Sequence, residues 1–206
     1  FAIVRELAEA EEAYGLDRFD GRMLARRILQ RMLAIGVSTP EDYAERLRWD
    51  VEERRRLREA MVDGESSFFR DPDAWRMLQE LVVRPLVAEA GGEPIRVWVV
   101  GCAGGEDAYA TAMLFEEEME RAERRVPYKV FATDLLAARV ERASAGRFDA
   151  EILSPIPLAM RQRSFDRQGA TAIVTPLLRR QLVFARHDVR TDPAFTRLDL
   201  VVCRGV

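Results

Sequence analysis

Three glycines and two acidic residues stand where short apolar runs end, a placement that suits nucleotide binding. Gly101, Gly104 and Gly105 follow residues 95 to 100, a run in which five of the six residues are β-branched or aromatic. Glycine backbone can take positive φ and lets a ligand approach closely. Glu106 then opens a stretch of helical composition. A buried strand, a glycine turn and a helix N-terminus together predict a nucleotide-type site at the carboxyl end of a parallel strand.

A carboxylate at the end of the next apolar run indicates which nucleotide is bound. Residues 128 to 134 read as a second strand, and Asp134 would lie beside the glycine turn and accept hydrogen bonds from ribose hydroxyls. In the dinucleotide fingerprint this acid follows the glycines by roughly 20 residues. Here it follows Gly101 by 33 (134 − 101), and the glycines spell G-x-x-G-G. The pattern favours S-adenosylmethionine over a nicotinamide cofactor, although either feature alone also fits a tight turn and a helix cap.

Length and composition limit the classes of protein to which the chain can belong. The chain has 206 residues, 48% of them apolar, which suits one large domain or two small ones. Its net charge of −3 gives no general attraction to nucleic acid or anionic lipid. Because it has no apolar run of ~18 residues and no signal peptide, we expect a cytoplasmic protein that does not insert into a membrane. Its two cysteines predict reduced thiols, and no metal site is predicted.

The first 62 residues have helical periodicity and predict an all-helical N-terminal domain. One helix is expected from about Asp20 to Ile35, ending at Gly36. Thr39 and Pro40 read as a cap and a first helical residue. A further helix is expected over residues 51 to 61.

Four arginines recur on the helix expected from about Asp20 to Ile35, at spacings of four and five residues, namely Arg22, Arg26, Arg27 and Arg31. The spacing predicts a single basic stripe. A charge run is usually a solvated helix face. Since no acid stands between Arg22 and Arg31 in an otherwise acidic protein, we favour a docking surface for an acidic substrate.

Residues 63 to 92 predict a linker and a helix, and residues 93 to 206 an α/β alternation. The linker helix is expected from about Asp73 to Glu89, with Pro85 kinking or ending it. The alternation breaks at about residues 150 to 180, where a Gln168-Gly169 turn predicts short antiparallel strands.

The motifs "ESSFFRDP", "GCAGGEDAY", "VFATD", "LVFARHDV" and "DLVVCRGV", in this order, resemble those of the CheR-type chemotaxis receptor methyltransferases. The resemblance implies an all-helical N-terminal domain followed by a Rossmann-like methyltransferase domain with a small antiparallel β-subdomain. It implies methyl transfer from S-adenosylmethionine to glutamate side chains on the cytoplasmic helices of membrane chemoreceptors, with S-adenosylhomocysteine as product. In some members the β-subdomain also binds a receptor peptide. The oligomeric state is left open.

The resemblance also implies the site residues. Arg70 would lie near the methyl donor as the catalytic, positioning residue, although it could instead pair with Asp71 or Asp134 as a buried structural arginine. The implied cofactor-binding residues are Gly64, Ser66, Arg70, Gly101, Gly104, Glu106, Asp134, Asp188, Val189 and Gly205.

The chain departs from the family pattern at Gly64, Asp188 and Gly205, where members usually carry asparagine. The family sheet also continues with three more strands, so we expect the methyltransferase domain in residues 93 to 206 to be incomplete. An alternative is therefore a catalytically degenerate S-adenosylmethionine-binding or interaction module. A weaker alternative is methylation of a small molecule or of RNA, which the net charge disfavours.

Overall fold

A computed structural model describes residues 21–62 and 67–204 of the chain. The chain divides into two compact units, residues 1–64 and residues 65–206. Residues 1 to 20 of the predicted all-helical domain lie outside the described residues. No helix in the described part is long and apolar enough to cross a membrane.

Three helices make up the described part of the first unit: α1 (Gly21–Ile35), α2 (Pro40–Trp49) and α3 (Val51–Val62). The predicted cap is confirmed, since the Thr39 hydroxyl accepts a hydrogen bond from the Asp42 N–H at 3.1 Å and Pro40 is the first helical residue. All three helices contribute to one apolar core that includes Leu24, Ile28, Met32, Tyr43, Leu47 and Leu57.

The second unit opens with a long helix that contains a π-helical turn. It comprises α4 (Pro72–Leu78), the π-helical turn (Gln79–Val83) and α5 (Arg84–Glu89). The Arg84 N–H reaches back five residues to the Gln79 carbonyl. Pro85 therefore does not end the helix, because the wider turn just before it accommodates a residue that cannot donate. The extra residue also changes the helix phase, so Val83 is buried while Leu81 is 66% exposed.

The rest of the second unit alternates strands and helices. Its strands are β1 (Ile95–Val100), β2 (Tyr128–Asp134), β3 (Arg147–Asp149), β4 (Phe165–Gln168), β5 (Thr171–Val174), β6 (Leu182–Arg186) and β7 (Leu200–Cys203). Its helices are α6 (Glu106–Arg121), α7 (Ala137–Ala145), α8 (Leu158–Ser164) and α9 (Pro176–Arg179), with a short 3-10 turn at Ala150–Leu153.

Four strands form a parallel sheet in the order β6-β2-β1-β7. The chain builds from β1 outward through β2 to β6, and then returns to place β7 on the other side of β1. In an open parallel sheet a ligand binds outside the carboxyl ends of the strands at such a reversal of strand order. The fold therefore locates the site at the carboxyl edge of β1.

The predicted antiparallel insertion is present as a three-stranded sheet in the order β3-β5-β4. Gly169, at φ +63°, lies in the turn between β4 and β5, as the sequence predicts. The sheet begins earlier than expected, at β3. Rings from this sheet pack edge-on against Phe68, with centroids 5.1 Å away at Phe148 and 5.7 Å away at Phe165. These contacts anchor the segment that leads into α4.

Candidate active site at the carboxyl edge of the parallel sheet

Each parallel strand ends in, or is followed by, a candidate site residue at the same edge of the sheet. The glycine turn follows β1, and Asp134 ends β2. Asp188 lies two residues beyond the end of β6, and Arg204 follows β7 directly. Because parallel strands end at a common edge, residues far apart in sequence meet here.

The Asp134 carboxylate contacts the glycine turn directly. One oxygen accepts the Ala103 N–H at 3.0 Å, and the other accepts the Leu136 N–H, also at 3.0 Å. An Arg139 guanidinium nitrogen lies 3.8 Å away, and the Asp134 side chain is only 3% exposed. The predicted convergence of Asp134 and the turn is confirmed, and the same carboxylate also bonds the entry to α7. Carboxylate oxygens have further lone pairs, so these bonds leave capacity to accept ribose hydroxyls.

The glycines of the turn serve different purposes. Gly101 and Gly105 take positive φ, +68° and +100°, and Ala103 between them is also left-handed at +48°. Gly104 does not take a positive φ. Its requirement is space, because a Cβ atom on Gly104 would lie 2.6 Å from a carboxylate oxygen of Glu106. Glu106 is thereby held, buried, in the first turn of α6.

Arg70 lies on an exposed segment of the same unit. Its side chain is 42% exposed, and its Nε is 3.9 Å from an Asp71 carboxylate oxygen. Arg70 therefore pairs with Asp71, as the structural alternative predicted, but the arginine is not buried. Arg70 lies within electrostatic reach of Asp107 in α6, whose pKa is raised by burial against the opposing influence of Arg204 and Arg70.

Arg204 is a site residue that the sequence analysis did not assign. Its guanidinium donates to the Arg70 carbonyl at 2.7 Å, lies 3.3 Å from the Asp71 carboxylate and 3.6 Å from the Asp107 carboxylate. It also lies 5.4 Å from the centre of the Trp75 ring. Its position directly after β7, matching that of the glycine turn after β1, is the signal that could have found it.

The Asp188 carboxylate accepts hydrogen bonds from Arg190, two residues further along the chain. Arg190 donates to it from a guanidinium at 2.7 Å and from its backbone N–H at 3.0 Å. These hydrogen bonds lower the pKa of Asp188 to about 2. Val189 beside it is 47% exposed. An aspartate held in this way is an acceptor only, unlike the asparagine amide of the family pattern.

Cys102 lies inside the turn but is inert. Burial and the neighbouring Asp134 charge raise the pKa of its thiol to about 12. The thiol is therefore protonated at neutral pH, and a protonated thiol is a poor nucleophile. Cys102 is therefore not a candidate nucleophile. Gly64, Ser66 and Gly205, also predicted to bind the cofactor, lie outside the described residues.

The predicted basic stripe on α1 resolves into two lines. Since an α-helix turns about 100° per residue, Arg22 and Arg26 lie about 40° apart, whereas Arg27 lies about 140° from Arg22. Arg31 shares the second line and bonds Glu53 through two guanidinium nitrogens at 2.6 and 3.0 Å. The single stripe is therefore wrong, and the charge of Arg31 is largely used inside its own unit.

The comparison with known proteins agrees with this geometry. A family model described as "CheR methyltransferase, SAM binding domain" matches residues 64–206. The chain belongs to the CheR methyltransferase family. The match also gives the cofactor of this CheR domain, which is S-adenosylmethionine.

Curated relatives extend the match along the chain. An uncharacterized 104.1 kDa protein of Rhodobacter capsulatus is 43% identical over 204 residues, which cover 98% of this chain and 21% of that protein. A chemotaxis protein methyltransferase of Listeria monocytogenes is 35% identical over 141 residues, 68% of this chain and 52% of that protein. A putative methyltransferase, Cher3, of Pseudomonas putida is 30% identical over 214 residues, 98% and 76% respectively. The chain thus spans a fifth and about half of the first two relatives.

The residues of this CheR domain fit the cofactor chemically. S-adenosylmethionine presents a ribose diol and a cationic ammonium and sulfonium, for which carboxylates are the natural partners, and a carboxylate, for which a guanidinium is. Asp134, Glu106 and Asp107 supply the carboxylates at this edge, and Arg70 supplies an exposed guanidinium. These residues fit the ribose diol, the cationic groups and the carboxylate of the cofactor.

Proposed function

We propose that this chain transfers the methyl group of S-adenosylmethionine to glutamate side chains on the cytoplasmic helices of chemoreceptors. The observation that carries the proposal is the exposed guanidinium of Arg70 at the carboxyl edge of the sheet, which is otherwise rich in carboxylates. An exposed cation at this edge suits an anionic acceptor such as a carboxylate. The name of the Listeria relative, chemotaxis protein methyltransferase, supports the same substrate class.

The residues would divide the work between holding the cofactor and placing the acceptor. Asp134 and Glu106 would bind the ribose and the ammonium of the cofactor. The bound cofactor supplies an electrophilic methyl group on a sulfonium. A glutamate acceptor has a reference pKa near 4.3, so it is ionised at neutral pH and needs no general base.

Arg70 would orient the acceptor carboxylate, because a guanidinium does not give up its proton in proteins and so is unsuited to acid-base work. Alignment of two reactants can contribute about 7 kcal/mol or more to catalysis. Placement of the acceptor by Arg70, with water kept out, is thus the main catalytic contribution of the described residues.

The receptor helix would dock on α1 of the first unit. Arg22 and Arg26 share one line with Leu29 and Leu33, and Leu33 is 80% exposed. This line of two cations followed by two apolar side chains would complement an acidic amphipathic helix. Arg27 and Arg31, on the other line, would contribute long-range attraction only.

The docking surface can be tested by charge reversal. Arg22→Glu combined with Arg26→Glu should raise the KM for a receptor cytoplasmic fragment about tenfold or more, since like charges then face each other. The affinity for S-adenosylhomocysteine should not change. Arg48→Glu, at an exposed arginine on α2, is the matched control. An equal effect of the control, or a parallel loss of cofactor affinity, would refute this docking surface.

The activity itself is tested with cofactor carrying a labelled methyl group. Incubation of the full-length protein with a chemoreceptor cytoplasmic fragment should label the fragment through an ester that mild alkali releases as methanol. A fragment whose acceptor glutamates are replaced by glutamine should stay unlabelled. Label on the glutamine fragment, or alkali-stable label, would exclude glutamate esterification.

The second candidate is a cofactor-binding module without transferase activity. It is favoured by Asp188, whose carboxylate bonds Arg190 and cannot donate as the family asparagine would. Calorimetry with S-adenosylhomocysteine separates the two candidates when it is combined with the labelling experiment. Binding without label transfer to any acidic receptor fragment supports the module, whereas binding with transfer supports the enzyme.

A further inference from the structure

We propose that Arg204 is a positioning residue that holds residues 67–71 across the carboxyl edge of the sheet and so places Arg70 for methyl transfer. The inference rests on the proposed function for its catalytic part, but its structural part stands independently. Arg204 would not touch the reacting atoms. It would act through the backbone of Arg70 and the carboxylate of Asp71.

The contacts of Arg204 join three elements that are distant in sequence. One guanidinium nitrogen donates to the Arg70 carbonyl at 2.7 Å, and another lies 3.3 Å from the Asp71 carboxylate. The Nε of Arg204 lies 3.6 Å from the carboxylate of Asp107, in the first turn of α6. A single side chain thus links the end of β7 both to the Arg70 segment and to the helix that follows the glycine turn.

The segment requires such a hold because its backbone is unfavourable. Phe69 and Asp71, on either side of Arg70, have φ of +53° and +60°. A left-handed conformation is unfavourable for a residue with a side chain, because the Cβ atom crowds the following carbonyl oxygen. Buried Phe68 and Trp75 fix the two ends. The Asp71 carbonyl accepts the Ala74 and Trp75 N–H groups at 2.9 and 3.3 Å, whereas the Arg70 N–H reaches the Ser67 carbonyl at 3.5 Å. The bond from Arg204 to the Arg70 carbonyl falls between the two left-handed residues.

Lysine could not replace these contacts. The planar guanidinium reaches a carbonyl and two carboxylates at once while lying 5.4 Å from the centre of the Trp75 ring. An ammonium is a point charge, without the fixed fork of donors. A conservative Arg204→Lys substitution should therefore rescue the charge but not the geometry.

The kinetic test uses Arg204→Gln and Arg204→Lys in the full-length protein. We expect Arg204→Gln to lower kcat about 30-fold while the Kd of S-adenosylhomocysteine rises less than about threefold, because the lost bonds hold Arg70 more than the cofactor. Arg204→Lys should lower kcat about tenfold. Arg96→Gln is the matched control, since Arg96 also donates to a backbone carbonyl, that of Thr196, and lies 4.7 Å from an aromatic ring centre, but at the amino end of β1. Full activity in Arg204→Lys, or an equal loss in Arg96→Gln, would overturn the proposal.

A double-mutant cycle tests whether Arg204 acts through Arg70. In an Arg70→Ala background, Arg204→Gln should lower kcat by less than about twofold, since the side chain that it positions is already gone. Fully additive losses would show that Arg204 acts independently, and would refute the proposal.

Hydrogen exchange supplies a readout that needs no substrate. Amides of residues 69–75 should exchange about tenfold faster in Arg204→Gln than in wild type, while amides of β1 and β2 keep their rates. Unchanged exchange in residues 69–75 would refute the positioning role. If exchange rises but neither protein transfers methyl groups to a receptor, the proposed function fails and the structural role of Arg204 stands.

Discussion

The two halves of the carboxyl edge are held by different kinds of contact. On the β1 and β2 side, the buried carboxylate of Asp134 accepts two backbone N–H groups and fixes the glycine turn. On the β7 side, Arg204 donates a hydrogen bond to the Arg70 carbonyl and forms an ion pair with Asp71, and the Asp71 and Arg70 side chains are exposed. Hydrogen bonds to a buried carboxylate are strong and poorly screened, whereas exposed ion pairs are weak and salt-sensitive.

This difference matches the two tasks that a group-transfer enzyme has at one edge. The cofactor half consists of the glycine turn and Asp134. It is formed without a ligand, because its hydrogen bonds join residues of the chain to each other. In the proposed function the half around Arg70 is the acceptor half, where an incoming carboxylate would compete with Asp71 for the guanidinium groups. The predictions below either remove this difference or enlarge it.

The largest effect is expected from removal of Asp134. Asp134→Ala leaves the buried N–H groups of Ala103 and Leu136 without their acceptor, which should lower the free energy of unfolding by about 2 to 4 kcal/mol. Binding of S-adenosylhomocysteine should weaken at least about 100-fold, since the turn loses its anchor as well as its ribose ligand. Thermal unfolding and calorimetry measure the two. Asp134→Asn keeps one acceptor and should give intermediate values; near-native affinity in Asp134→Ala would contradict the assigned role.

A methyl group at Gly104 should disturb the cofactor half without removing any charge. The added Cβ would lie 2.6 Å from a Glu106 carboxylate oxygen, so the carboxylate must move. We expect Gly104→Ala to weaken S-adenosylhomocysteine binding about tenfold. Gly91→Ala is the control, because a Cβ there meets nothing within 4 Å. Equal affinities of the two variants would show that the position of Glu106 is unimportant for binding.

Salt should distinguish the two halves without any mutation. Raising the ionic strength to about 1 M shortens the Debye length to about 3 Å, which screens exposed ion pairs but not buried hydrogen bonds. Amides of residues 69–75 should exchange about threefold faster in high salt, and those of residues 101–105 should not change. Equal acceleration in both segments would remove the distinction drawn here.

The smallest effect is expected at Asp188, and in the opposite direction. Asp188→Asn releases Arg190 and provides an amide that can donate as well as accept. Calorimetry should show S-adenosylhomocysteine binding about threefold more tightly, the gain of one modest hydrogen bond. Weaker binding in this variant would mean that the Asp188–Arg190 pair itself shapes the pocket.

The cofactor half could be predicted from the sequence because its elements are close together in the sequence. A strand, a glycine turn and a helix are consecutive, and parallel pairing must bring the end of β2 beside the end of β1. The Thr39 cap and the Gly169 turn are equally local signals, and both are present. The requirement of space at Gly104 was not predicted, because it depends on where the Glu106 side chain turns back.

The acceptor half could not be predicted because its partners are far apart in sequence. Arg204 and Asp71 are separated by 133 positions, and no spacing rule links an ion pair across that distance. Arg31 and Glu53 are a second case, 22 positions apart, and their pairing engages the charge of one arginine of the predicted stripe. Helical spacing shows which residues share a face of one helix, but not which charge a neighbouring helix will neutralise.

The π-helical turn at Gln79–Val83 gives the helix of residues 72–89 one residue more than regular winding would need. Val83 at the end of the turn, Val87 after it and Trp75 before it all pack into the core. Regular α-helical winding of the same residues would not absorb the extra one, and would rotate Trp75 by about 100° relative to Val87. The indole would then leave the Arg204 guanidinium, even though every side chain named in the site was still encoded. The number of residues in this helix therefore helps to determine where the Trp75 side chain lies. A comparison of relatives should count the residues of this helix as well as identify them.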